Sequence, residues 1–176
     1  ALQTAGSDWI QSGPPKNTRY IATMFRSPVT KNNMRATLTV RVDQLNRPME
    51  IAQYVKRWTK EYPKFGFIVS VDLGAQKLAA ARAAGAGDGV EGGEGAAARI
   101  LETCGGPVEA VIDLVNGAKK RQLRQVIFMK DTKAVLLTCR DHVSSFKESL
   151  GECNKMIKSF KWQQVNVTSN KAKRKS

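Results

Sequence analysis

Nine consecutive residues, 34–42, alternate strictly between apolar and polar side chains. Met34, Leu38 and Val42 belong to the apolar set, whereas Arg35 and Arg41 belong to the polar set. This alternation is typical of a β-strand that buries one face and exposes the other. It therefore predicts a strand whose exposed face is basic.

Further strands are predicted on both sides of this segment. Residues 122–129 and 134–139 are apolar-rich, and only the polar turn 130–133 separates them. Such short spacing favours an antiparallel hairpin. An earlier strand is expected at 19–25, and the residues that follow it, 27–33, are predicted to form a polar loop.

Two helices are predicted at 48–62 and 144–160, because apolar residues recur there at steps of three and four. The apolar stripes are Ile51, Val55, Trp58 and Tyr62 in the first helix, and Phe146, Leu150, Cys153, Ile157 and Phe160 in the second. Hairpins dominate the order of elements, and strands and helices do not alternate regularly. The sequence therefore predicts an α+β fold with helices packed on an antiparallel sheet.

Composition divides the chain into one domain, an insertion and a tail. A chain of 176 residues can bury one substantial core, which we expect to span residues 9–162. Residues 74–99 are rich in Ala and Gly and carry acidic side chains, which favours a surface insertion within that domain. Residues 163–176 are polar and basic, which predicts a disordered tail.

The charge is strongly basic, with 29 Lys and Arg against 15 Asp and Glu and a net charge of +14. Such a balance implies an anionic partner, which can be a carboxylate-rich protein surface, a nucleic acid or an anionic membrane. Two strand-bearing segments are especially poor in acids, and their basic side chains are predicted to form a docking face. The predicted docking residues are Arg35, Arg41, Lys119, Lys120, Arg121 and Arg124.

The sequence contains no signature of a catalytic site. HExxH, GxSxG and Walker patterns are absent, and the only histidine, His142, is expected near the start of a helix. The acids of the insertion lack the spacing of a calcium loop, so no metal site is predicted. Trp9, Trp58 and Trp162 are expected to pack in the core rather than stack on bases. We therefore expect a binding protein, not an enzyme.

The C-terminal hairpin and helix resemble the end of a PsbP domain. Residues 120–123 are Lys-Arg-Gln-Leu, residues 130–133 are Lys-Asp-Thr-Lys, and residues 158–160 are Lys-Ser-Phe. The family has a Lys-His-Gln-Leu strand start, a Lys-Asp-Gly-Lys turn and a terminal helix ending in Ser-Phe. The resemblance extends more loosely over residues 9–162, apart from the insertion.

This resemblance implies a PsbP/Mog-like α/β/α sandwich, in which helices cover both faces of an antiparallel sheet. It also implies an extrinsic subunit of the oxygen-evolving complex, or an assembly factor, in the chloroplast thylakoid lumen. The partner would be the carboxylate-rich lumenal face of a photosystem, with photosystem II favoured, and no small-molecule substrate is implied. Calcium enters only indirectly through the family, and Arg121 replaces the family's histidine, so no metal is expected there.

Two other interpretations remain open at this stage. A nucleic-acid-binding protein would use the same basic face, and its binding would depend steeply on salt. The fold is also shared with bacterial lipoproteins, which would place the chain in a periplasm.

The three cysteines are Cys104, Cys139 and Cys153. A helix folded back on the preceding hairpin would bring Cys139 near Cys153, and an oxidising lumen would favour a disulfide between them. The alternative is that both are buried thiols that pack as small apolar side chains.

Overall fold

The computed structural model of the protein describes residues 7–14, 16, 18, 20–74 and 108–162. Within them, seven strands form one sheet in the order β1-β2-β3-β7-β6-β5-β4, and each neighbouring pair is antiparallel. The strands are β1 (Ile10–Ser12), β2 (Ile21–Lys31), β3 (Met34–Gln44), β4 (Ile68–Asp72), β5 (Ala110–Asn116), β6 (Arg121–Lys130) and β7 (Lys133–His142). The helices are α1 (Ile51–Thr59) and α2 (Phe146–Lys158), with a 3-10 helix at Tyr62–Phe65 after α1.

This architecture confirms the predicted α+β class and the predicted strands at 34–42, 122–129 and 134–139. In the C-terminal hairpin, Lys130 pairs with Lys133 and Val126 pairs with Leu137. The alternating strand β3 then adds to the other edge of β7, so that Leu38 pairs with Cys139. The three strands with the clearest sequence patterns, β3, β7 and β6, therefore lie side by side at the centre of the sheet.

The two helices cover opposite faces of the sheet. On one face, called the α2 face, α2 contributes Phe146, Met156 and Ile157 to a core with Leu38 and Phe128. On this face, a disulfide also joins Cys139 of β7 to Cys153 of α2.

On the opposite face, called the α1 face, α1 contributes Ile51, Tyr54 and Val55 to a second core. Ile127 of β6 belongs to this core, whereas its neighbours Val126 and Phe128 belong to the core under α2. Because successive strand residues point to opposite faces, apolar side chains on both faces of β6 are buried.

The predicted polar loop at 27–33 is wrong, because β2 continues to Lys31. The turn to β3 is only two residues long, with φ of 51° at Asn32 and 58° at Asn33. Asparagine tolerates this left-handed conformation, which a two-residue hairpin turn requires. The first helix is also shorter than the predicted 48–62, because α1 begins at Ile51 and ends at Thr59, and Tyr62 belongs to the 3-10 helix. Residues 75–99 of the predicted insertion and the predicted tail at 163–176 lie outside the described residues.

Candidate basic docking surface

The six predicted docking residues do not share one surface. Arg41 pairs with Leu136 of the core under α1, so β3 alternation places Arg35 and Arg41 on the α1 face. Arg124 pairs with Cys139 of the core under α2, so it lies on the α2 face. The remaining three are close in sequence: Lys119 and Lys120 lie in the turn between β5 and β6, and Arg121 begins β6 on the α1 face.

Arg41 makes its contacts within the protein, with one acid and two aromatic rings. Its Nε donates a hydrogen bond to Asp43 Oδ1 at 2.7 Å. Its guanidinium carbon lies 4.6 Å from the ring centroid of Tyr20 and 4.4 Å from that of Trp58. Asp43 also accepts a hydrogen bond from Tyr54 Oη at 2.6 Å. Arg41 therefore attaches α1 to β3, and its charge is already matched by an acid.

Arg124 is matched in the same way. Its Nε and one Nη donate to the two carboxylate oxygens of Asp113 at 2.7 and 2.8 Å. Asp113 lies on the neighbouring strand β5, one residue before the acid-free segment 114–130. A bidentate pair of this kind is geometrically specific and leaves little free charge for a partner.

Three other arginines, Arg26, Arg121 and Arg140, form a cluster on the α1 face. Thr37 pairs with Arg26 on one side and with Arg140 on the other, so both arginines lie in the same row of the sheet. Arg121 pairs with His142, two residues from Arg140 on the same face of β7. Directly opposite residues lie about 5 Å apart at Cβ, and diagonal ones about 7–8 Å apart.

This arginine cluster has no salt-bridge partner among the described residues, and the nearby charge of Asp141 only partly offsets the repulsion at Arg140. Burial, followed by the charges of Arg121 and Arg26, holds the pKa of Arg140 below its usual value. The Nε of Arg140 is buried without a hydrogen-bond partner. Among the described residues, no acid forms an ion pair with Arg26, Arg121 or Arg140.

No helix in the described part of the chain covers the arginine cluster, because α1 packs over a different part of the α1 face. The core under α1 comprises residues of β4, β5 and β6 and the start of β7, including Ala134 and Leu136. Arg140 lies near the other end of β7, and no helix in the described part of the chain packs over it. Exposed basic side chains surround the cluster. We define the basic surface as Arg26, Arg35, Lys119, Lys120, Arg121 and Arg140.

Arg26 and Arg140 were not among the predicted docking residues. The signal for Arg140 lies in the hairpin register, since counting back from the Lys130–Lys133 pair opposes Leu123 to Arg140 and Arg121 to His142. Arg26 had no comparable signal in the sequence. It follows the strand predicted at 19–25, and nothing in the sequence identified the strand with which that segment pairs.

His142 lies in the segment that leads into α2. Its Nδ1 is 2.8 Å from Ser144 Oγ and accepts a hydrogen bond from the Ser144 backbone N–H at 3.2 Å. Within residues 7–74 and 108–162, as far as described, no group of three or more His, Cys, Asp or Glu side chains could hold a metal ion. Over the same residues, no helix combines the length and apolar character needed to cross a membrane.

The protein is therefore an α+β domain with one antiparallel sheet, and part of one face of that sheet is basic and not covered by a helix of the described chain. No protein-family model and no curated protein matches the sequence.

Proposed function

We propose that this protein is a non-catalytic, PsbP-like extrinsic protein that docks electrostatically on the lumenal face of a photosystem, with photosystem II favoured. It acts there as a subunit or as an assembly factor. The acidic counterpart is a carboxylate-rich surface of the photosystem. The α/β/α sandwich of the PsbP type is part of the same proposal.

The observation that carries the proposal is the arginine cluster on the α1 face. The guanidinium of Arg140 is half-buried beside two like charges, and this is costly without a counter-ion, because burial penalises an unpaired charge. Proteins concentrate positive charge in this way where an anionic partner is bound. Arg26, Arg121 and Arg140 therefore favour binding to an acidic surface over a merely solvated role.

Two further observations support the setting. The disulfide between Cys139 and Cys153 fits an oxidising compartment, such as a thylakoid lumen or a periplasm. The motifs at 120–123, 130–133 and 158–160 resemble the PsbP family, and they lie at the start of β6, in the β6–β7 turn and at the end of α2.

The test is rebinding of purified protein to salt-washed thylakoid membranes. The variant replaces Lys119, Lys120 and Arg121 by Glu, because single exposed ion pairs contribute only about 0–1 kcal/mol and no one residue should dominate. The control replaces Lys56, Arg57 and Lys60 by Glu, which changes net charge equally on an exposed part of α1 and its C-terminal end. Thermal unfolding checks that both variants fold.

The docking variant should rebind much less than wild type, whereas the α1 control should rebind at nearly the wild-type level. Wild-type rebinding should also weaken with salt, because exposed charges are screened over about 10 Å at 0.1 M. Equal rebinding of all three proteins, with no effect of salt, would refute basic-surface docking. Tight, salt-sensitive binding to RNA or DNA without rebinding to membranes would favour a nucleic-acid-binding function instead.

A further inference from the structure

We propose that Arg26, Arg121 and Arg140 together bind one carboxylate group of a partner protein, with Arg140 at the centre of the site. The inference rests on the proposed docking function and deepens it. It assigns a specific anion site to a surface that would otherwise act only through its summed charge.

The register of the sheet brings the three side chains towards one point. Arg26 and Arg140 flank Thr37 in one row across β2, β3 and β7. Because neighbouring strands are about 4.8 Å apart, the Cα atoms of these two arginines lie about 10 Å apart. Arg121 approaches from β6 on the other side of Arg140. A ligand above Arg140 is therefore within reach of guanidinium groups from three strands.

The chemistry of Arg140 calls for a planar acceptor. Its Nε is buried and has no hydrogen-bond partner. A guanidinium presents its donors in a fixed planar fork, and a carboxylate accepts two of these hydrogen bonds side by side. A carboxylate bound to the Arg140 guanidinium would offset the repulsion among the three arginines.

The surroundings favour a protein ligand over a nucleic acid. Single-stranded nucleic acids bind through aromatic side chains on which bases stack, next to a charged groove. Here Trp9 belongs to the core under α2, and Trp58 and Trp162 pack against the two cores. Partly desolvated arginines, by contrast, are enriched at the energetic centres of protein–protein interfaces.

The direct test follows the arginine Nε–Hε resonances in proton–nitrogen correlation NMR spectra of the full-length protein. The probe is glutarate, a small dicarboxylate that mimics a glutamate side chain. We expect glutarate to shift the Arg140 resonance saturably, whereas sodium chloride at equal ionic strength does not. Absence of a saturable shift beyond that of chloride would overturn the proposal.

Two variants distinguish the effect of the planar guanidinium geometry of Arg140 from the effect of its positive charge. Arg140→Lys keeps the charge but loses the planar fork, and glutarate affinity, read at Arg26 and Arg121, should fall about tenfold or more. Arg47→Lys, an exposed residue in the loop before α1, should leave the affinity unchanged. Unchanged affinity in Arg140→Lys would overturn the central role of Arg140. Phosphate binding at least about tenfold tighter than glutarate would overturn the carboxylate assignment in favour of a phosphate ligand.

Failure of this site and failure of the docking function give different results. If wild type binds glutarate but never rebinds to thylakoid membranes, the proposed function fails and the anion site stands. If wild type and Arg140→Lys rebind equally and neither binds glutarate, the anion site fails and docking by summed charge stands.

Discussion

The hydrogen bond from Tyr54 of α1 to Asp43 of β3 should be a measurable contributor to stability. Tyr54 is 1% exposed, and its Oη donates to Asp43 Oδ2 at 2.6 Å. Tyr54→Phe removes this donor and keeps the ring, so packing in the core under α1 is preserved. Arg41 continues to bond the other oxygen of Asp43.

The magnitude follows from the charge of the acceptor. A hydrogen bond to a charged group contributes about 1.5–3 kcal/mol, so Tyr54→Phe should lower the free energy of unfolding by about that amount at neutral pH. The loss should come from weaker attachment of α1 to β3, because these two elements share the hydrogen bond.

The same phenol makes the effect dependent on pH. Burial, then the hydrogen bond and charge of Asp43, raise the pKa of Tyr54 well above its ordinary value of 10.0. Above that pH the unfolded chain releases this proton and the folded protein retains it, so folded stability falls by up to about 1.4 kcal/mol per pH unit. The Phe variant lacks this loss. The difference between wild type and Tyr54→Phe should therefore shrink as pH rises through and beyond the unfolded pKa.

The assay is urea unfolding of both proteins near neutral pH and at about one unit above the ordinary tyrosine pKa. Tyr20→Phe is the matched control. Tyr20 is 58% exposed, and the substitution removes its hydroxyl group but keeps the ring that lies beside Arg41. This control should unfold like wild type at neutral pH.

Two results would contradict this reasoning. One is a Tyr54→Phe variant within about 0.5 kcal/mol of wild type at neutral pH, which is the usual range for surface substitutions. The other is a difference between the two proteins that stays constant as pH rises, which would mean that Tyr54 titrates alike in the folded and unfolded states.

The remaining predictions concern the disulfide and the β2–β3 turn. Cys139 and Cys153 are 14 residues apart, so reducing their disulfide should lower the free energy of unfolding by about 3 kcal/mol in the loop-entropy account. Alkylation of the denatured, unreduced chain should add one group by intact mass, at Cys104, and addition of three groups would show that the bond is absent. At Asn33, where φ is 58°, substitution by Val should cost about 1–2 kcal/mol and substitution by Gly should not, as measured by urea unfolding. Equal stability of the two variants would contradict the turn assignment.

The central strands could be predicted because their sequence patterns agree with their tertiary environment. β3 has one buried apolar face, and the β6–β7 hairpin is fixed by a short turn. The end of β2 could not be predicted, because Ser27–Lys31 is polar and contains Pro28. This segment is strand because it pairs with β3 through an irregular register, between Arg26 and Thr30, that no local preference encodes.

The basic surface was predictable only in part. A count of charges along the chain identifies Lys119, Lys120 and Arg121, but it cannot detect neutralisation by acids on neighbouring strands. The count therefore could not show that Arg124 of β6 is paired with Asp113 of β5. Conversely, Arg26 and Arg140 come together only through the order β2-β3-β7. That order is a property of the folded sheet rather than of either segment.

The most direct measurement of the central claim is whether the native protein co-purifies with photosystem particles from thylakoids. We expect the protein to be present on particles prepared at low salt and to be released by a high-salt wash, because salt screens contacts between exposed charges. Absence from low-salt particles, or retention through the high-salt wash, would contradict electrostatic docking on a photosystem.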